Sequence, residues 1–233
     1  MTEAVAIILA AGVGERMGRG TPKAFLSIGD GTLVEAAMRT ADACPQVASI
    51  VAAVPAGFED AILAVGGIRA GVTAVPGGDS RQASVIAALA TIPASVQVVV
   101  CHDAARPFAS AQLFSRVIEA VAGGEADGPE GAIPVTQVLD TVKRVRDGVV
   151  VGTEPREELF LAQTPQAFKA EPFRAAHERA ATEGYRATDD GAVMEWAGYR
   201  VVAVPGESDN LKVTTPTDLA RAEAIVGTGG ALR

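Results

Sequence analysis

The residues best suited to phosphate chemistry lie in a glycine-rich stretch, LAAGVGERMG, at positions 9–18. It follows AVAII, a short apolar run typical of a buried strand, and a glycine-rich turn after a strand commonly binds phosphate. The Rossmann pattern fails because Met17 stands where its third glycine belongs, and the P-loop pattern fails because no Gly-Lys-[Ser/Thr] follows. The stretch instead contains Arg16, with Lys23 shortly after it, so two cations could face phosphate oxygens. A tight turn with two solvated charges is the alternative interpretation.

A second candidate stretch is GGDSRQAS, which begins at Gly77. Gly77 and Gly78 permit close approach of the backbone, and Ser84 lies about one turn into the helix that should follow. Asp79 is expected to cap that helix. Carbonyls and hydroxyls here could bind the amino and carbonyl groups of a pyrimidine base. A plain helix cap without a ligand is the alternative.

The third stretch is VVVCHDAARPF, in which a buried-strand run ends in His102 and Asp103. A carboxylate at the mouth of a sheet is a good Mg²⁺ ligand, because Mg²⁺ takes one or two protein carboxylates and completes its shell with water and phosphate oxygens. The alternative is an ion pair between Asp103 and Arg106. We interpret His102 as structural.

The fourth stretch is SDNLKVTTPTDL, where Lys212 stands just before the last predicted helix. A lysine is a compact cation suited to phosphate. Taken alone it would be read as a solvated charge, so its interpretation depends on the other three stretches.

The elements that must position these residues alternate between short apolar runs and helix-period segments, which predicts an α/β fold with a mostly parallel central sheet and helices on both faces. Ligands of such sheets bind beyond the carboxyl ends of the strands, so we expect the stretches to converge there. The predicted strands are 5–9, 49–54, 72–75, 96–101, 131–135 and 200–204, and the predicted helices are 32–43, 80–91, 110–122, 172–183, 188–197 and 216–226. Thr32 with Glu35 predicts a capping box at the first of these helices, and Thr215 predicts the N-cap of the last. Each of the other helices is introduced by a capping residue or a proline.

One segment, LDTVKRVRDGVVVGT, breaks this alternation. Polar and apolar residues alternate on both sides of Asp147-Gly148, which is a strong signal for a two-residue β-hairpin. A lone hairpin is marginally stable in water, so this one should pack against something. We expect it to project from the sheet as an arm and to pair with a second subunit, giving a homodimer.

The composition limits the class of protein. The chain has 233 residues, 48% of them hydrophobic and 21% charged, with a net charge of −8. This acidic balance argues against a nucleic-acid or membrane-surface binder, but a phosphorylated small molecule needs only a few cations at one site. Cys44 and Cys101 have no disulfide or zinc spacing. Glu3 stands where a signal peptide would be positive, and no apolar run approaches a membrane span, so we expect a cytoplasmic location.

The ordered motifs resemble the 2-C-methyl-D-erythritol 4-phosphate cytidylyltransferase family of the non-mevalonate isoprenoid pathway. The motifs are AAGVGERMG with PKAFL, GGD-x-R-x-x-S, HDAARP, DTVKR, LAQTPQAF, TDD and DNLKVTTPTDL, and together they span nearly the whole chain. Each motif is moderately specific, whereas the ordered set is highly specific. The resemblance implies a Rossmann-like nucleotidyltransferase fold: one domain over 1–233, with a dimerisation arm at 136–160 and a frayed tail at 227–233.

The resemblance also implies roles for individual residues. The cytidine part of CTP would contact Ala10, Ala11, Gly12, Gly78, Asp79 and Ser84, and Gly14 would also belong to the CTP-binding residues. The catalytic residues that bind the triphosphate would be Arg16, Lys23 and Lys212, and Asp103 would help place Mg²⁺. The sugar phosphate would be handled by Arg106, Thr141, Arg156 and Thr164. Arg156 would serve the site of the second subunit, because the arm of the family reaches across a homodimer.

Two positions depart from the family pattern, and two other functions stay open. Ala24 replaces a common Gln, and TDDGA at 188–192 replaces the usual TDEAS, although neither change removes a charge assigned to catalysis. The closest rival function is cytidylyl transfer to ribitol 5-phosphate, since side chains alone do not encode the branching of the sugar. A nucleotide-binding regulator without turnover is the rival of another class, and the four retained charged residues, Arg16, Lys23, Asp103 and Lys212, argue against it.

Overall fold

The structure is a computed structural model of the chain that describes residues 3–12, 21–123 and 128–227. The strands are β1 (Ala4–Leu9), β2 (Ser27–Ile28), β3 (Gly31–Thr32), β4 (Val47–Val54), β5 (Gly71–Pro76), β6 (Val98–Asp103), β7 (Gly131–Gln137), β8 (Lys143–Arg146), β9 (Val149–Thr153), β10 (Phe160–Ala162), β11 (Gln166–Lys169) and β12 (Val201–Pro205). The helices are α1 (Leu33–Ala43), α2 (Glu59–Leu63), α3 (Arg81–Leu89), α4 (Ala111–Ala122), α5 (Ala170–Glu183), α6 (Asp190–Ala197) and α7 (Pro216–Gly227).

The first half of the central sheet is parallel and brings four strand ends to one edge. Strands β6, β1, β4 and β5 lie side by side in that order. Leu9 at the end of β1 is level with Asp103 of β6 and with Ala53 of β4, and Val54 is level with Pro76 of β5. The stretches that follow β1, β5 and β6 therefore meet at one edge, as the sequence predicts.

The second half of the sheet mixes strand directions around β7. β11 is antiparallel to both β6 and β7, whereas β12 is parallel to β7. Both β10 and β12 pair with Val135, so they occupy opposite edges of β7. The sequence analysis did not predict β10 and β11, because their three and four residues are too short to show a strand period. The sheet is still mostly parallel.

Helices cover both faces of the sheet, which confirms the predicted layers. Side chains of β1 alternate between two buried clusters: Ile8 packs with α1 and α4 residues, and Ile7 packs with α3, α5 and α6 residues. A third, smaller cluster joins α7 to the β2–β3 hairpin. The sheet is thus enclosed on two faces, and its carboxyl edge is left for the site.

Most helix starts match the predicted caps. Thr32 forms a full capping box with Glu35 at the start of α1, and Ser80 and Ser110 cap α3 and α4. Asp218 N–H donates to Thr215 Oγ1 at 3.2 Å, which confirms Thr215 as the cap of α7. The prediction that Asp79 caps α3 is wrong, because the Ser80 hydroxyl accepts from Ala83 N–H instead.

The predicted hairpin is confirmed as a separate two-stranded sheet of β8 and β9, which we call the arm. Asp147 and Gly148 have φ values of 47° and 77°, as a two-residue hairpin turn of the I′ type requires. Val145, Val149, Val150 and Val151 are all exposed on it. More than half of the surface of each of these side chains is therefore left uncovered by the described part of the chain.

Across residues 3–12, 21–123 and 128–227, the structure contains no helix with the length and hydrophobicity needed to cross a membrane.

Candidate active site

A cleft of about 470 Å³ opens at the carboxyl edge of the parallel strands. The end of β1, the turn before α3, the end of β6 and the segment before α7 all contribute to its walls. The predicted site residues that line it are Ala10, Ala11, Gly12, Lys23, Gly78, Asp79, Ser84, Asp103 and Lys212. Residues more than 200 positions apart in the sequence thus meet in one cleft.

The other predicted site residues are not among the described residues that line the cleft. Arg16 and Gly14 are outside the residues that the structure describes. The four residues assigned to the sugar phosphate, Arg106, Thr141, Arg156 and Thr164, do not line the cleft.

At the floor of the cleft, small residues allow two backbone segments to lie close together. Ala10 is buried, and its N–H donates to Ala53 O at 2.8 Å, so the chain leaves β1 in a fixed direction. A β-carbon on Gly77 would lie 2.2 Å from the Ala11 β-carbon, far inside van der Waals contact. Glycine is therefore required where the two strand ends meet, and the cleft is narrow there.

The turn before α3 is held by Ser84. Its hydroxyl donates to Ser80 O at 2.9 Å and accepts from Gly78 N–H at 3.1 Å. Ser84 is buried, so it shapes the wall that a nucleotide would contact. Because Ser80 takes over the cap of α3, the exposed Asp79 carboxylate is left in the wall of the cleft.

Lys23 begins a single 3-10 turn, Lys23–Phe25, directly after Pro22. Ala24 is buried in the core cluster that contains Ala10 and also lines the cleft. The alanine at this departure from the family pattern thus fits a tightly packed position behind the floor.

Asp103 is the electrostatic centre of the site. Its Oδ1 lies 3.3 Å from Arg81 Nε, and its Oδ2 lies 2.7 Å from Lys212 Nζ. Burial would raise the pKa of Asp103, but the positive charges of Arg81 and Lys212 outweigh it and hold that pKa well below its usual range. The carboxylate is ionised at neutral pH.

The ion pair between Asp103 and Arg106 that the sequence allows is not formed. The Arg106 guanidinium donates instead to Asn210 O at 2.7 Å and to Ala162 O at 3.2 Å. Arg106 therefore ties the end of β10 to the loop before α7.

Behind Asp103, a buried hydrogen-bond chain fixes the end of β6. Asp103 N–H donates to Thr164 Oγ1 at 3.0 Å, and that hydroxyl lies 3.0 Å from His102 Nδ1. His102 Nε2 lies 3.2 Å from Arg106 O, a carbonyl that only accepts, so Nε2 carries the proton and Nδ1 accepts from Thr164. Burial lowers the pKa of His102 to about 4, so the ring is neutral. His102 is structural, as interpreted from the sequence.

Lys212 is positioned by its two neighbours. Asn210 is buried, and its side-chain amide donates to Thr164 O at 2.9 Å. Val213 is also buried, and its N–H donates to Ala105 O at 2.8 Å. The lysine between them reaches Asp103, while 45% of its side chain stays exposed for a ligand.

Arg81 is the site residue that the sequence analysis missed. It lines the cleft at the first position of α3, and besides Asp103 it contacts the buried Asp190, with 2.7 Å between Nη1 and Oδ2. Arg81 is the arginine of the motif GGD-x-R-x-x-S, and this position in the motif could have identified it as a site residue. Asp190, one of the departures in TDDGA, was not recognisable because its partner lies more than 100 positions away.

Thr141 and Arg156 lie at the base of the arm, and both are exposed. The Arg156 guanidinium donates to Leu139 O. Neither residue reaches the cleft of its own chain.

The positive side chains of this cleft can neutralise the negative charge of a ligand. Lys23, Arg81 and Lys212 bring positive charge to one place in a chain of net charge −8. His102 is buried, neutral and bonded through both ring nitrogens, so it is not placed as a base. Such a cleft suits a polyanion that is attacked by a nucleophile already ionised at neutral pH, since no base is needed and fixed positive charge stabilises the transition state.

The comparisons with known proteins all match the same family. The family described as IspD, 2-C-methyl-D-erythritol 4-phosphate cytidylyltransferase, matches residues 4–228. A 2-C-methyl-D-erythritol 4-phosphate cytidylyltransferase of Thermosynechococcus vestitus is 41% identical over 224 residues, which cover 94% of each protein. A crystal structure of the protein of that name from Thermus thermophilus superposes with a TM-score of 0.79 at 36% identity, over 97% of this chain and all of that one.

A longer relative is a bifunctional IspD/IspF enzyme of Bradyrhizobium sp. (strain BTAi1 / ATCC BAA-1182), which is 43% identical over 223 residues. The match covers 94% of this chain but 55% of that protein, so this chain spans about half the length of the bifunctional relative.

Proposed function

Because the chain belongs to the 2-C-methyl-D-erythritol 4-phosphate cytidylyltransferase family, we propose that it transfers the cytidylyl group of CTP to 2-C-methyl-D-erythritol 4-phosphate. The products are 4-diphosphocytidyl-2-C-methyl-D-erythritol and pyrophosphate. The observation that carries the proposal is the cleft, in which Lys23 and Lys212 meet the glycine turns of two strand ends.

The reaction needs no general base. An ionised phosphate oxygen of the sugar phosphate attacks the α-phosphorus of CTP, and the bond from that phosphorus to the bridging oxygen of the β-phosphate breaks. Both reactants are anions, so the barrier is largely electrostatic, and fixed cations lower it. Lys23 and Lys212, together with Arg16 from outside the described residues, are the proposed cations.

Mg²⁺ is a proposed cofactor, and among the described residues Asp103 is the proposed ligand. They contain no group of three or more His, Cys, Asp and Glu side chains that could hold a metal on its own. Asp103 offers one carboxylate, whose Oδ2 is already within 2.7 Å of Lys212. This suits Mg²⁺, which is held through one or two carboxylates together with substrate phosphates and neutralises the phosphate oxygens when bound.

The sugar phosphate is proposed to bind between the cleft and the arm of a second subunit. Thr141 and Arg156 are exposed at the arm base and away from their own cleft, which supports a role at another subunit's site. The exposed valines of the arm supply the apolar surface such a homodimer would bury. Thr164 and Arg106 are proposed to act by holding Asp103 and the loop before Lys212. The cytoplasmic location stays a prediction.

Release of pyrophosphate tests the proposal. The protein would be incubated with Mg²⁺ and each of CTP, UTP, ATP and GTP, in combination with methylerythritol phosphate, ribitol 5-phosphate or no acceptor. We expect release with CTP and methylerythritol phosphate, at a rate far above every other combination. A preference for ribitol 5-phosphate would replace the proposed acceptor, and binding of CTP without release under any combination would indicate a regulator.

A further inference from the structure

Arg81 links the cleft to a buried aspartate–histidine pair. Its Nε lies 3.3 Å from Asp103 Oδ1 on the cleft side, and its Nη1 lies 2.7 Å from Asp190 Oδ2 on the interior side. His177 Nε2 lies 3.3 Å from the other oxygen of Asp190. Lys212, Asp103, Arg81 and Asp190 thus form a chain of alternating charge that runs inward from the cleft.

The inner end of this chain is enclosed by the core. Asp190 and His177 are both almost completely buried, and the His177 ring packs edge-on against Phe173 with 4.5 Å between ring centroids. Such a packed pair has little freedom to shift. Arg81 is therefore anchored on its interior side.

Asp190 is also fixed through the backbone of α6. Asp189 caps the helix, and its second carboxylate oxygen accepts from the Gln166 side-chain amide at 2.8 Å. Gln166 Oε1 in turn accepts from Gly191 N–H at 3.2 Å. The start of α6 is thereby tied to β11, next to the strand that carries Asp103.

Stability alone does not account for this arrangement. Replacing a buried ion pair by apolar side chains is often neutral or stabilising, because the desolvation cost of two charges is high. The two oxygens of Asp103 are instead held by different cations, Arg81 on Oδ1 and Lys212 on Oδ2. Lys212 is the more exposed of the two, at 45% against 24%, so it is the cation free to turn to a triphosphate.

We infer that Arg81 is a positioning residue of the proposed cytidylyl transfer: backed by Asp190 and His177, it holds the Asp103 carboxylate in place while Lys212 engages the phosphates. The inference rests on the proposed function. It assigns a role to the Asp190 departure in TDDGA, namely to fix Arg81 from behind. Arg81 acts through Asp103 and makes no bond to the reacting atoms.

The test compares Arg81→Met with Arg174→Met in the pyrophosphate assay. Arg174 holds the other end of α3, because its guanidinium donates to Leu89 O at 2.7 Å and Ile92 O at 2.8 Å, so the control also disturbs α3 but lies away from the cleft. We expect Arg81→Met to lower kcat by roughly tenfold to a hundredfold while KM for CTP changes less than about threefold. Arg174→Met should keep kcat within about twofold of wild type.

A double-mutant cycle with Asp103→Asn identifies the route of the effect. If Arg81 acts through Asp103, then Arg81→Met should change kcat less than about threefold once Asp103 is already Asn. An equal loss of kcat in both backgrounds, or a normal kcat for Arg81→Met, would overturn the inference while leaving the proposed function intact. A wild-type protein that releases no pyrophosphate would overturn both.

If Arg81→Met does not fold, Asp190→Asn carries the same test, since it removes the anchoring charge from behind Arg81 and leaves the cleft surface unchanged. We expect kcat to fall while KM for CTP is nearly unchanged, and again a much smaller effect in the Asp103→Asn background. A loss of thermal stability with normal kcat would show that the buried pair is structural only and would overturn the inference.

Discussion

Lys23 and Lys212 enter the cleft from segments nearly 190 positions apart, and both belong to the charge set proposed for the triphosphate. Their proposed role depends on the position in which the fold holds them. Lys23 starts a 3-10 turn fixed by Pro22 O, which accepts from Phe25 N–H at 2.9 Å. At the scale of residues, the proposed catalysis therefore depends on fixed positive charge beside the leaving pyrophosphate.

Lys23→Ala and Lys212→Ala should each lower kcat on the order of a hundredfold or more, because each removes a positive charge that stabilises the transition state. Lys169→Ala is the matched control, since Lys169 is level with Val98 at the opposite end of β6 from Asp103. Steady-state kinetics and circular dichroism of the three variants make the comparison. Near-normal turnover in Lys23→Ala would contradict its assignment.

His102 should make the stability of the fold depend on pH. Its pKa is lowered to about 4 in the folded protein, below the ordinary value of 6.5. Between these two pH values the unfolded chain binds the proton and the folded protein does not. Stability therefore rises with pH here, and acidification from pH 7 to pH 5 should cost about 2 kcal/mol through this group.

Urea titrations at pH 5 and pH 7 measure this effect. In His102→Gln the difference in free energy of unfolding between the two pH values should shrink by that amount relative to wild type, whatever the absolute stability of the variant. An unchanged difference would mean that His102 is not held neutral.

The sequence predicted the residue types of the site better than their partners. Asp103, Lys23 and Lys212 were recognisable because each follows a strand or precedes a helix in a distinctive motif. The partner of Asp103 was not, because Arg106 is close in sequence whereas Arg81 and Lys212 are close only after the strands align. Long-range ion pairs are a property of the folded sheet, which a local pattern does not contain.

At the scale of elements, the site depends on how closely the end of β1 approaches the turn after β5. Gly77 N–H donates to Val54 O at 2.7 Å, which holds that turn against the sheet. The Ala11 side chain occupies the space that a β-carbon on Gly77 would need. The two elements thus form one continuous wall of the cleft.

Gly77→Ala should separate these elements and weaken CTP binding more than tenfold, since the new β-carbon would lie 2.2 Å from the Ala11 β-carbon. Gly66→Ala is the control, because no atom lies within 4 Å of its β-carbon position. Isothermal titration with CTP, accompanied by thermal melts, compares the two variants. Wild-type affinity in a folded Gly77→Ala protein would show that the wall does not contact the nucleotide.

Elements with a strong periodic signal were predicted well, and short ones were not. α1 starts at its predicted capping box, and the arm turns at Asp147-Gly148 as predicted. β11 was missed although it separates β6 from β7 in the sheet. Its four residues carry too little pattern, and its place is set by pairing with strands far along the chain.

At the scale of the whole molecule, the arm is the feature without a partner in the described chain. Val145 of β8 pairs with Val150 of β9, and they are 54% and 58% exposed. Apolar pairs of this kind are normally buried. The proposed homodimer would bury them and bring Arg156 to the second subunit's cleft.

Light scattering should give the wild-type protein twice the 23.7 kDa mass of the chain. The double variant Val145→Lys/Val150→Lys should scatter as a monomer, because two charges would be buried at the interface. Leu63→Lys, at an exposed leucine outside the arm, is the control and should stay dimeric. A wild-type mass of 23.7 kDa would contradict the homodimer.

Phosphorus NMR of the complete reaction would show whether the cleft joins CTP to methylerythritol phosphate. The protein would be mixed with both substrates and Mg²⁺, and the spectrum followed as CTP is consumed. We predict equal amounts of pyrophosphate and of a cytidine diphosphate diester, with no inorganic phosphate. Unchanged CTP, or inorganic phosphate without the diester, would contradict it.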